Sequence, residues 1–474
     1  MAQALINILD HWGLHGLAQQ GWLWYLVVGL VQVALILALV MTCVAVYTWM
    51  ERKISGRIQD RLGPTRVGGR FGWLQPAADG LKLLCKEDLV PAAADGLLFR
   101  AAPYLTFCAA FIPYLALPFA PGWVVQPMDT AAFFILAIGG LEVFGVILAG
   151  YASGSKWSLY GAMREAAQVV SFEIPLGMCV VVPVLMAGTM NLTEIAQQQA
   201  GWLTSWNLVN PFALVTFFIY MVCATAGTNR APFDLPEAES ELVAGFMTEY
   251  SGFRWSMFFM AEYSAMFLLA LLGALLFCGG WNGPIPVATM LWLTPEYGDI
   301  AAFAGNFLGM CSLITKGVLG VIFMMWLRWT LPRLRIDQVM TTCLKYCVPL
   351  ASIMLVGTMV SIFVLRGGLS HPIKPVEMPA KQNQRTGRDC KLKIREGHAS
   401  PLLLRRPMVC GKIFWQSRGT GFQPVEFDAG KMPVPRWRPS ARKSSHTRPQ
   451  SSNFQFSIFN SQFSIFSLSR EGAC

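Results

Sequence analysis

The chain has 474 residues, of which 54% are hydrophobic and only 14% are charged. In an average soluble domain about a quarter of the residues are charged, so this composition argues against a soluble globular enzyme. The net charge of +10 does not indicate a nucleic-acid partner, because the stretch after Glu377 carries 17 Lys and Arg against 5 Asp and Glu. The basic excess therefore belongs to the end of the chain, and the preceding part is close to neutral.

Eight apolar stretches are each long enough to cross a hydrocarbon core as a helix, which takes about 20 residues. They cover approximately residues 22–49, 101–120, 131–151, 165–190, 209–228, 257–280, 302–328 and 339–365. Nothing basic precedes Arg52, so the first stretch lacks the charged region of a cleaved signal peptide and is expected to remain. The sequence predicts an all-α, polytopic membrane domain over residues 1–377 and a basic, low-complexity, disordered tail over residues 378–474.

Lys and Arg are distributed very unevenly over the connections between these spans. The connections 50–100, 152–164, 229–256 and 328–345 together carry 17 of them. The opposite side of the membrane would carry only Arg366 and Lys374 within residues 1–377. By the positive-inside rule, the four charged connections are predicted to lie on the cytoplasmic side.

The first charged connection contains a second type of helix signal. From Phe71 to Leu84, apolar residues recur at helical spacing, which predicts an amphipathic helix along the inner membrane face. Arg52, Lys53 and Arg61 precede it, and for most of the Arg and Lys residues of this connection, taken singly, anchoring to lipid headgroups is the simplest interpretation.

Ionisable residues inside the spans are costly in a bilayer unless they are paired or hydrated. The candidates are Glu142, Glu173 and Lys316, together with Glu165 at the start of the fourth span. Glu165 and Glu173 would lie within about 80° of each other on one helix face. One interpretation is a set of buried structural ion pairs, such as Lys316 with Glu142, and the other is a chain of protonatable groups across the bundle.

The connection 229–256 holds the densest group of carboxylates, Asp234, Glu237, Glu239, Glu241 and Glu249. A solvated acidic face is the usual explanation of such a group. Here the sequence 232–236 interleaves rigid and apolar residues, which favours a partly buried site. Mutual repulsion in such a site would raise the pKa of some members, so that the group exchanges protons as a coupled set.

The twelve cysteines include no CxxC and no cluster with the spacing of an iron–sulfur or zinc site. Two pairs at helical spacing, Cys343 with Cys347 and His11 with His15, are too few ligands for a metal site. The sequence also has no glycine-rich dinucleotide-binding motif, so no metal or redox cofactor is predicted on this chain.

Several strings in the chain together resemble one family of membrane proteins. They are Glu51-Arg52-Lys53, Arg61-Leu62-Gly63-Pro64, Lys86-Glu87-Asp88, Gly161-Ala162-Met163-Arg164, Asn229 to Glu239, Glu249-Tyr250-Ser251-Gly252, Phe277 to Trp281, Leu331 to Arg335 and Asp337 to Met340. They are similar to the quinone-site membrane subunit of respiratory complex I, the proton-pumping NADH:quinone oxidoreductase, known as its H subunit and, in mitochondria, as subunit 1. The resemblance runs in order from about residue 22 to residue 365, and the tail has no counterpart in it.

The resemblance implies a membrane subunit, active only within its enzyme complex, that forms part of the quinone-binding chamber and couples quinone reduction to proton translocation. The residues it assigns to the chamber and to coupling are Arg52, Lys53, Arg61, Asp234, Glu237, Glu239, Glu241 and Glu249. Those it assigns to a proton relay are Glu142, Glu165, Glu173 and Lys316.

The partners implied are quinone as substrate, membrane lipid, other membrane subunits and the iron–sulfur and quinone-site subunits of a peripheral arm. NADH, FMN and the iron–sulfur clusters would be bound by those partner subunits. The implied location is the bacterial inner (plasma) membrane, or alternatively the mitochondrial inner membrane. A homologous subunit of a membrane-bound hydrogenase, or more distantly an ion or solute transporter, stays open as an alternative.

Overall fold

The computed structural model describes residues 22–235, 239–285 and 299–365, and these residues form a bundle of helices. The helices are α1 (Trp22–Ile58), α2 (Gln75–Cys85), α3 (Gly96–Phe111), α4 (Ala131–Ala152), α5 (Lys156–Ala187), α6 (Leu192–Gln198), α7 (Pro211–Gly227), α8 (Glu239–Leu242), α9 (Gly252–Phe277), α10 (Asp299–Thr330), α11 (Ile336–Thr341) and α12 (Val348–Leu365). Short 3₁₀ segments occur at Ile112–Leu115, Leu203–Ser205, Asn207–Val209 and Gly245–Met247, and a π-helical turn, Thr342–Cys347, joins α11 to α12. Within the described residues there is no β-strand.

In the described part of the chain, seven helical segments are long and apolar enough to cross a membrane. The predicted fifth span corresponds to α7, which has 17 residues and is therefore about 26 Å long, slightly less than a typical hydrocarbon core. The all-α, polytopic fold predicted from the sequence is confirmed. The predicted tail lies outside the described residues.

The first helix is longer than its apolar stretch. α1 continues to Ile58, so Glu51, Arg52 and Lys53 lie on a helix and not in the connection where hydropathy placed them. Hydropathy detects the length of apolar chain, whereas the helix ends where the backbone changes direction. That change comes at Asp60, which has a positive φ of 52°.

The amphipathic helix begins later than its pattern suggested, at Gln75 and not at Phe71. Gly72 has a positive φ of 65°, a conformation that no helix can include, and Pro76 then suits the first helical turn. Phe71 and Trp73 therefore lie in the turn before α2. Both are more than 60% exposed in the single chain.

Two contacts hold this segment on α1. Arg52 forms an ion pair of 2.5 Å with Asp79 of α2, and the indole of Trp49 donates to the carbonyl of Phe71 at 3.0 Å. The amphipathic helix is thus attached to the end of α1 that carries the charged connections.

α9 occupies the centre of the bundle, and most of its side chains are buried. Two tyrosines from neighbouring helical segments donate to its backbone carbonyls, Tyr114 to Ser264 at 2.8 Å and Tyr220 to Leu269 at 2.7 Å. These bonds satisfy both hydroxyls in an otherwise apolar interior.

Prolines inside two helices free carbonyls for contacts between helices, because proline has no N–H to donate four residues back. Pro103 in α3 leaves the carbonyl of Phe99, which accepts a hydrogen bond of 3.2 Å from the Tyr250 hydroxyl. Pro175 in α5 leaves the carbonyl of Ser171, which accepts from the Cys343 thiol at 3.0 Å.

Candidate functional site

A cavity of about 450 Å³ lies between α3, α4, α5, α7 and α9. Its walls are mainly apolar, but four carboxylates line it, namely Glu142 on α4, Glu165 and Glu173 on α5, and Glu262 on α9. Glu165 and Glu173 face the same space, as their separation of eight residues predicts. The structure therefore gathers three of the four predicted relay residues around one cavity.

The packing of α4 makes room for the deeper carboxylate. Gly140 lies against Glu173, so closely that a Cβ atom on Gly140 would be 3.1 Å from its Oε1 atom. Gly139 also lines the cavity, yet a Cβ atom there would meet nothing within 4 Å. A larger residue at position 140 would therefore have to displace the Glu173 carboxylate by a few tenths of an ångström.

The connection after α7 reaches the cavity through Asn229. Its side-chain amide donates to Oε1 of Glu165 at 2.8 Å, and its Oδ1 accepts from Gln168 at 3.2 Å. Asn229 adopts a positive φ of 50°, which Asn tolerates better than most residues. The cavity and the acidic connection 229–256 are thus in direct hydrogen-bonded contact.

A buried charge cluster lies beside this connection. Glu51 of α1, only 5% exposed, accepts from Arg230 at 3.3 Å through both carboxylate oxygens and is also bound by Arg328 and by the Tyr263 hydroxyl. The Arg230 guanidinium lies 4.2 Å from the centre of the Tyr263 ring. The cluster connects α1, α9 and α10 with the acidic connection.

Neither these residues nor Glu262 were among the site residues predicted from the sequence. Glu262 could have been found, because it is an ionisable residue within a predicted span, the same signal that selected Glu142. Glu51 and Arg230 stood out only as parts of motifs. Their contact joins positions 179 residues apart, which no local pattern specifies.

The structure separates the carboxylates of the acidic connection. Asp234 is nearly buried and accepts from Arg333 at 3.0 Å, whereas Glu241 is 59% exposed and pairs with Arg164 at 2.5 Å. Glu249 is half-buried just after the Gly245–Met247 turn. Glu237 lies outside the described residues, and Glu239 begins α8.

The ionisation of Glu241 differs from the expectation for a crowded acidic group. The hydrogen bond and the charge of Arg164 lower the pKa of this carboxyl below its ordinary value. A close cation thus decides the pKa of this member, and the repulsion expected from neighbouring carboxylates does not.

Of the three basic residues predicted for the chamber, Arg52 pairs with Asp79, as described above. Lys53 is half-buried on α1, and Arg61 is exposed and donates to the Gln59 side chain at 2.7 Å. Among the described residues, none of these three lines the carboxylate cavity.

Lys316 is placed away from the carboxylates. Its ammonium donates to the carbonyls of Cys278 and Gly280 at 2.7 Å each and of Asn282 at 2.5 Å, and lies 4.4 Å from the Trp206 ring centre. The ion pair with Glu142 that the sequence left open is not formed. In the described part of the chain, no three His, Cys, Asp or Glu residues are placed to hold a metal ion.

Spanning helices around a cavity lined by carboxylates, with paired charges at one end, define a membrane protein with ionisable groups inside its bundle. The chain belongs to the NADH dehydrogenase family, whose model matches residues 31–359. The family resemblance of the sequence strings is thereby confirmed.

Three relatives, all named as H subunits of NADH-quinone oxidoreductase, indicate the branch of this family. The chain is 43% identical over 332 residues to the one from Anaeromyxobacter dehalogenans strain 2CP-C, and the match covers 69% of this chain and 80% of the relative. It is 43% identical over 365 residues to the one from Chlorobium luteolum, covering 74% and 94% respectively. It is 41% identical over 350 residues to the second such protein of Cytophaga hutchinsonii, covering 67% and 95%.

Proposed function

We propose that this chain is the membrane subunit of a proton-translocating NADH:quinone oxidoreductase that forms part of the quinone-binding chamber and couples quinone reduction to proton translocation. The observation that carries the proposal is the cavity lined by Glu142, Glu165, Glu173 and Glu262, connected through Asn229 to the acidic connection. The relatives named as NADH-quinone oxidoreductase subunits favour this function over a hydrogenase subunit or a solute transporter.

The residues nearest the charged connections respond to quinone chemistry. Asp234, Glu237, Glu239, Glu241 and Glu249 respond when a quinone gains electrons and protons, Asp234 and Glu241 through their ion pairs with Arg333 and Arg164. Arg52, Lys53 and Arg61, next to the apolar segment 71–84, form part of the wall of the quinone chamber. Exposed Phe71 and Trp73 suit contact with an isoprenoid chain or with lipid.

The cavity carries charge into the bundle. Its polar carboxylates and its size allow ordered water to bridge groups that do not touch, because such water needs both room and several polar partners. A proton then passes from Glu165, next to Asn229, to Glu173 on the same helix and to Glu142 on the neighbouring α4. Glu262 belongs to the same set.

The charge cluster of Glu51 transmits movements of the acidic connection to the helices. Arg230 lies in that connection, four residues before Asp234, and is bonded to Glu51 of α1. Tyr263 and Arg328 bind the same carboxylate from α9 and α10. A change of charge in the connection therefore acts on three helices at once.

The other partners follow from this assignment. The electrons come from iron–sulfur clusters of peripheral-arm subunits, which also bind NADH and FMN, and the other membrane subunits continue the proton path. The protein lies in the bacterial inner membrane, with its charged connections on the cytoplasmic side.

The experiment compares two carboxylates of the cavity with one outside it. In the assembled complex, Glu142→Gln and Glu173→Gln should each lower quinone-dependent NADH oxidation and proton pumping together, by about tenfold or more, because an amide cannot take up and release the proton that the relay carries. Glu194→Gln is the matched control, since Glu194 lies in the first turn of α6 and does not line the cavity. Both activities are measured in reconstituted vesicles, with assembly checked by subunit composition.

The outcomes separate a relay from a structural role. Normal oxidation with normal pumping in a Glu142→Gln/Glu173→Gln double variant would show that the carboxylates of the cavity are not used. Equal losses in Glu194→Gln would show that any lost carboxylate damages the complex.

A further inference from the structure

The ammonium of Lys316 occupies a built site at the end of the bundle opposite the charged connections. α9 ends at Phe277, and the chain then turns through Gly279 and Gly280, both with positive φ. The last carbonyls of a helix have no partner within the helix, and at membrane depth an unpaired carbonyl costs several kcal/mol. This helix end therefore requires donors from other elements.

Side chains from two neighbouring segments supply part of what is needed. Gln199, just after α6, donates to the carbonyls of Leu275 and Leu276 at 3.0 and 3.3 Å, and its Oε1 accepts from the amide of Gly279 at 3.1 Å. Asn207 donates to Leu276 at 2.8 Å. The carbonyls of the turn after α9 still need hydrogen-bond donors, and these come from α10.

Lys316 completes the arrangement with all three of its N–H groups. An ammonium has three donors, and here each carbonyl of Cys278, Gly280 and Asn282 takes one, while the face of Trp206 covers the charge. A cation at a helix C-terminus is further stabilised by the helix dipole. The ring of carbonyls coordinates the ammonium as it would a small free cation.

We propose that the carbonyls of Cys278, Gly280 and Asn282, together with the Trp206 ring, form a cation site for a primary ammonium group, and that Lys316, by filling it, is a positioning residue that fixes α10 against α9. The proposal uses the enzyme activity proposed above only as one of its readouts.

The attachment of α10 to α9 at Lys316 also affects the Glu51 charge cluster, because both rigid helices extend from one to the other. Arg328 follows Lys316 by 12 residues on α10, about 18 Å of helix, and Tyr263 precedes Cys278 by 15 residues on α9, about 22 Å. Both side chains bind Glu51 at the far end. Anchoring the two helices at one end therefore sets how Arg328 and Tyr263 meet the shared carboxylate at the other.

Chemical rescue in the assembled complex tests the site directly. Lys316→Ala removes the occupant and should lower quinone-dependent NADH oxidation and pumping together by at least about fivefold. Methylammonium chloride should restore at least a third of the lost activity, whereas tetramethylammonium chloride at the same ionic strength should restore none, because it has no N–H donor. Lys345→Met, an exposed cation on the π-helical turn, is the control and should leave both activities unchanged.

Hydrogen exchange supplies a readout that does not depend on the enzyme activity. In Lys316→Met, the amides of residues 278–282 should exchange at least about tenfold faster than in the parent complex, and methylammonium should slow them again in Lys316→Ala. Unchanged exchange together with no effect of methylammonium would overturn the cation site. A complex without any quinone reductase activity would contradict the proposed function and would leave the exchange test valid.

Lys316→Arg distinguishes a fixed cation from a proton carrier. Arginine keeps the charge and the donors but does not release its proton in proteins. Under the proposal this variant assembles and pumps with the parental ratio of protons to electrons, even where Lys316→Ala and Lys316→Met fail to assemble. Quinone reduction at the parental rate with a clearly lower pumping ratio in Lys316→Arg would show that Lys316 carries protons and would overturn the proposal.

Discussion

At the scale of single residues, the ion pairs of this molecule fall into a buried set and an exposed set with different consequences. Glu51 and Arg230 are each about 5% exposed, whereas Glu241 is 59% exposed. A buried charge that loses its partner has neither water nor a counter-charge, while an exposed one is resolvated. Substitutions in the buried set should therefore change the stability of the complex, whereas those in the exposed set are better followed by the rate of the reaction as a function of pH.

In the buried set, Glu51 is the member that the others share. Glu51→Gln removes the carboxylate that Arg230 and Arg328 share, so we expect a loss of stability of about 3–5 kcal/mol. Arg230→Met should cost less, because Glu51 keeps Arg328 and Tyr263. The thermal midpoint of the purified complex measures both.

The double variant Glu51→Gln/Arg230→Met is the control for this ordering. Its thermal midpoint should be higher than that of Glu51→Gln alone, because only the Arg328 guanidinium has then lost its carboxylate. Equal midpoints for the two single variants would contradict the central position of Glu51.

In the exposed set, the ion pair of Glu241 with Arg164 predicts that the effect of replacing Glu241 does not depend on pH near neutrality. Because its pKa is lowered in the folded protein, the stabilisation by this pair is complete above the ordinary carboxyl pKa of about 4.3 and is lost only as the pH falls below it. The fractional effect of Glu241→Gln on quinone reduction should therefore be the same from about pH 6 to pH 9. Arg164→Met should give the same flat profile.

The measurement is the rate of quinone-dependent NADH oxidation as a function of pH in parent and variants. An effect of Glu241→Gln that appears only at one end of this range would mean that Glu241 titrates there and belongs to a coupled acidic set.

At the scale of elements, sequence patterns predicted the helices better than their ends. The apolar stretches correspond to α1, α3, α4, α5, α7, α9, α10 and the segment from α11 to α12, because burial in lipid requires long apolar runs. The ends depend on single backbone conformations, such as those of Asp60 and Gly72, and on polar residues that continue a helix beyond its apolar part. Hydropathy carries no information about either.

The contact of α5 with the Gly245–Met247 turn gives a prediction at this scale. A Cβ atom on Gly161 would lie 2.6 Å from Cα of Gly245, so Gly161→Ala must push the turn away from α5 and should destabilise the complex by about 1–3 kcal/mol. Gly177→Ala on the same helix meets nothing within 4 Å and should be neutral or slightly stabilising, because alanine favours the helix.

Thermal midpoints and assembly yields of the two variants give the comparison. Activity is not the readout here, since Gly177 lines the cavity. A Gly161→Ala complex as stable as Gly177→Ala would show that the turn has room to move.

At the scale of the whole molecule, the sequence predicted the membrane fold and the existence of a charged site, but not which charges meet. Glu51 meets residues 179, 212 and 277 positions later in the chain. Such contacts are set by how the helices pack, and helical periodicity specifies only which face of one helix is apolar. The same reason explains why Lys316 and Glu142, both ionisable residues in spans, were grouped together by the sequence and separated by the fold.

The end of the chain supplies a prediction for the whole molecule. The family match ends at residue 359, and the basic excess begins after residue 377. Deleting residues from 380 onward should therefore leave assembly and quinone reduction nearly unchanged. Subunit composition and NADH oxidation of the truncated complex are compared with those of the full chain, and a large loss of assembled complex would identify the tail as an interaction segment.

The prolines at positions 103 and 175 give the bundle an unusual relation between local and global stability. Replacing either by alanine would restore the missing backbone hydrogen bond within its helix, so the isolated helix would become straighter and more stable. The restored amide would then compete with the Tyr250 hydroxyl for Phe99, or with the Cys343 thiol for Ser171. The alanine would thus stabilise its own helix but weaken the attachment of that helix to its neighbour. The missing backbone hydrogen bond at each proline is what allows the two segments to be joined.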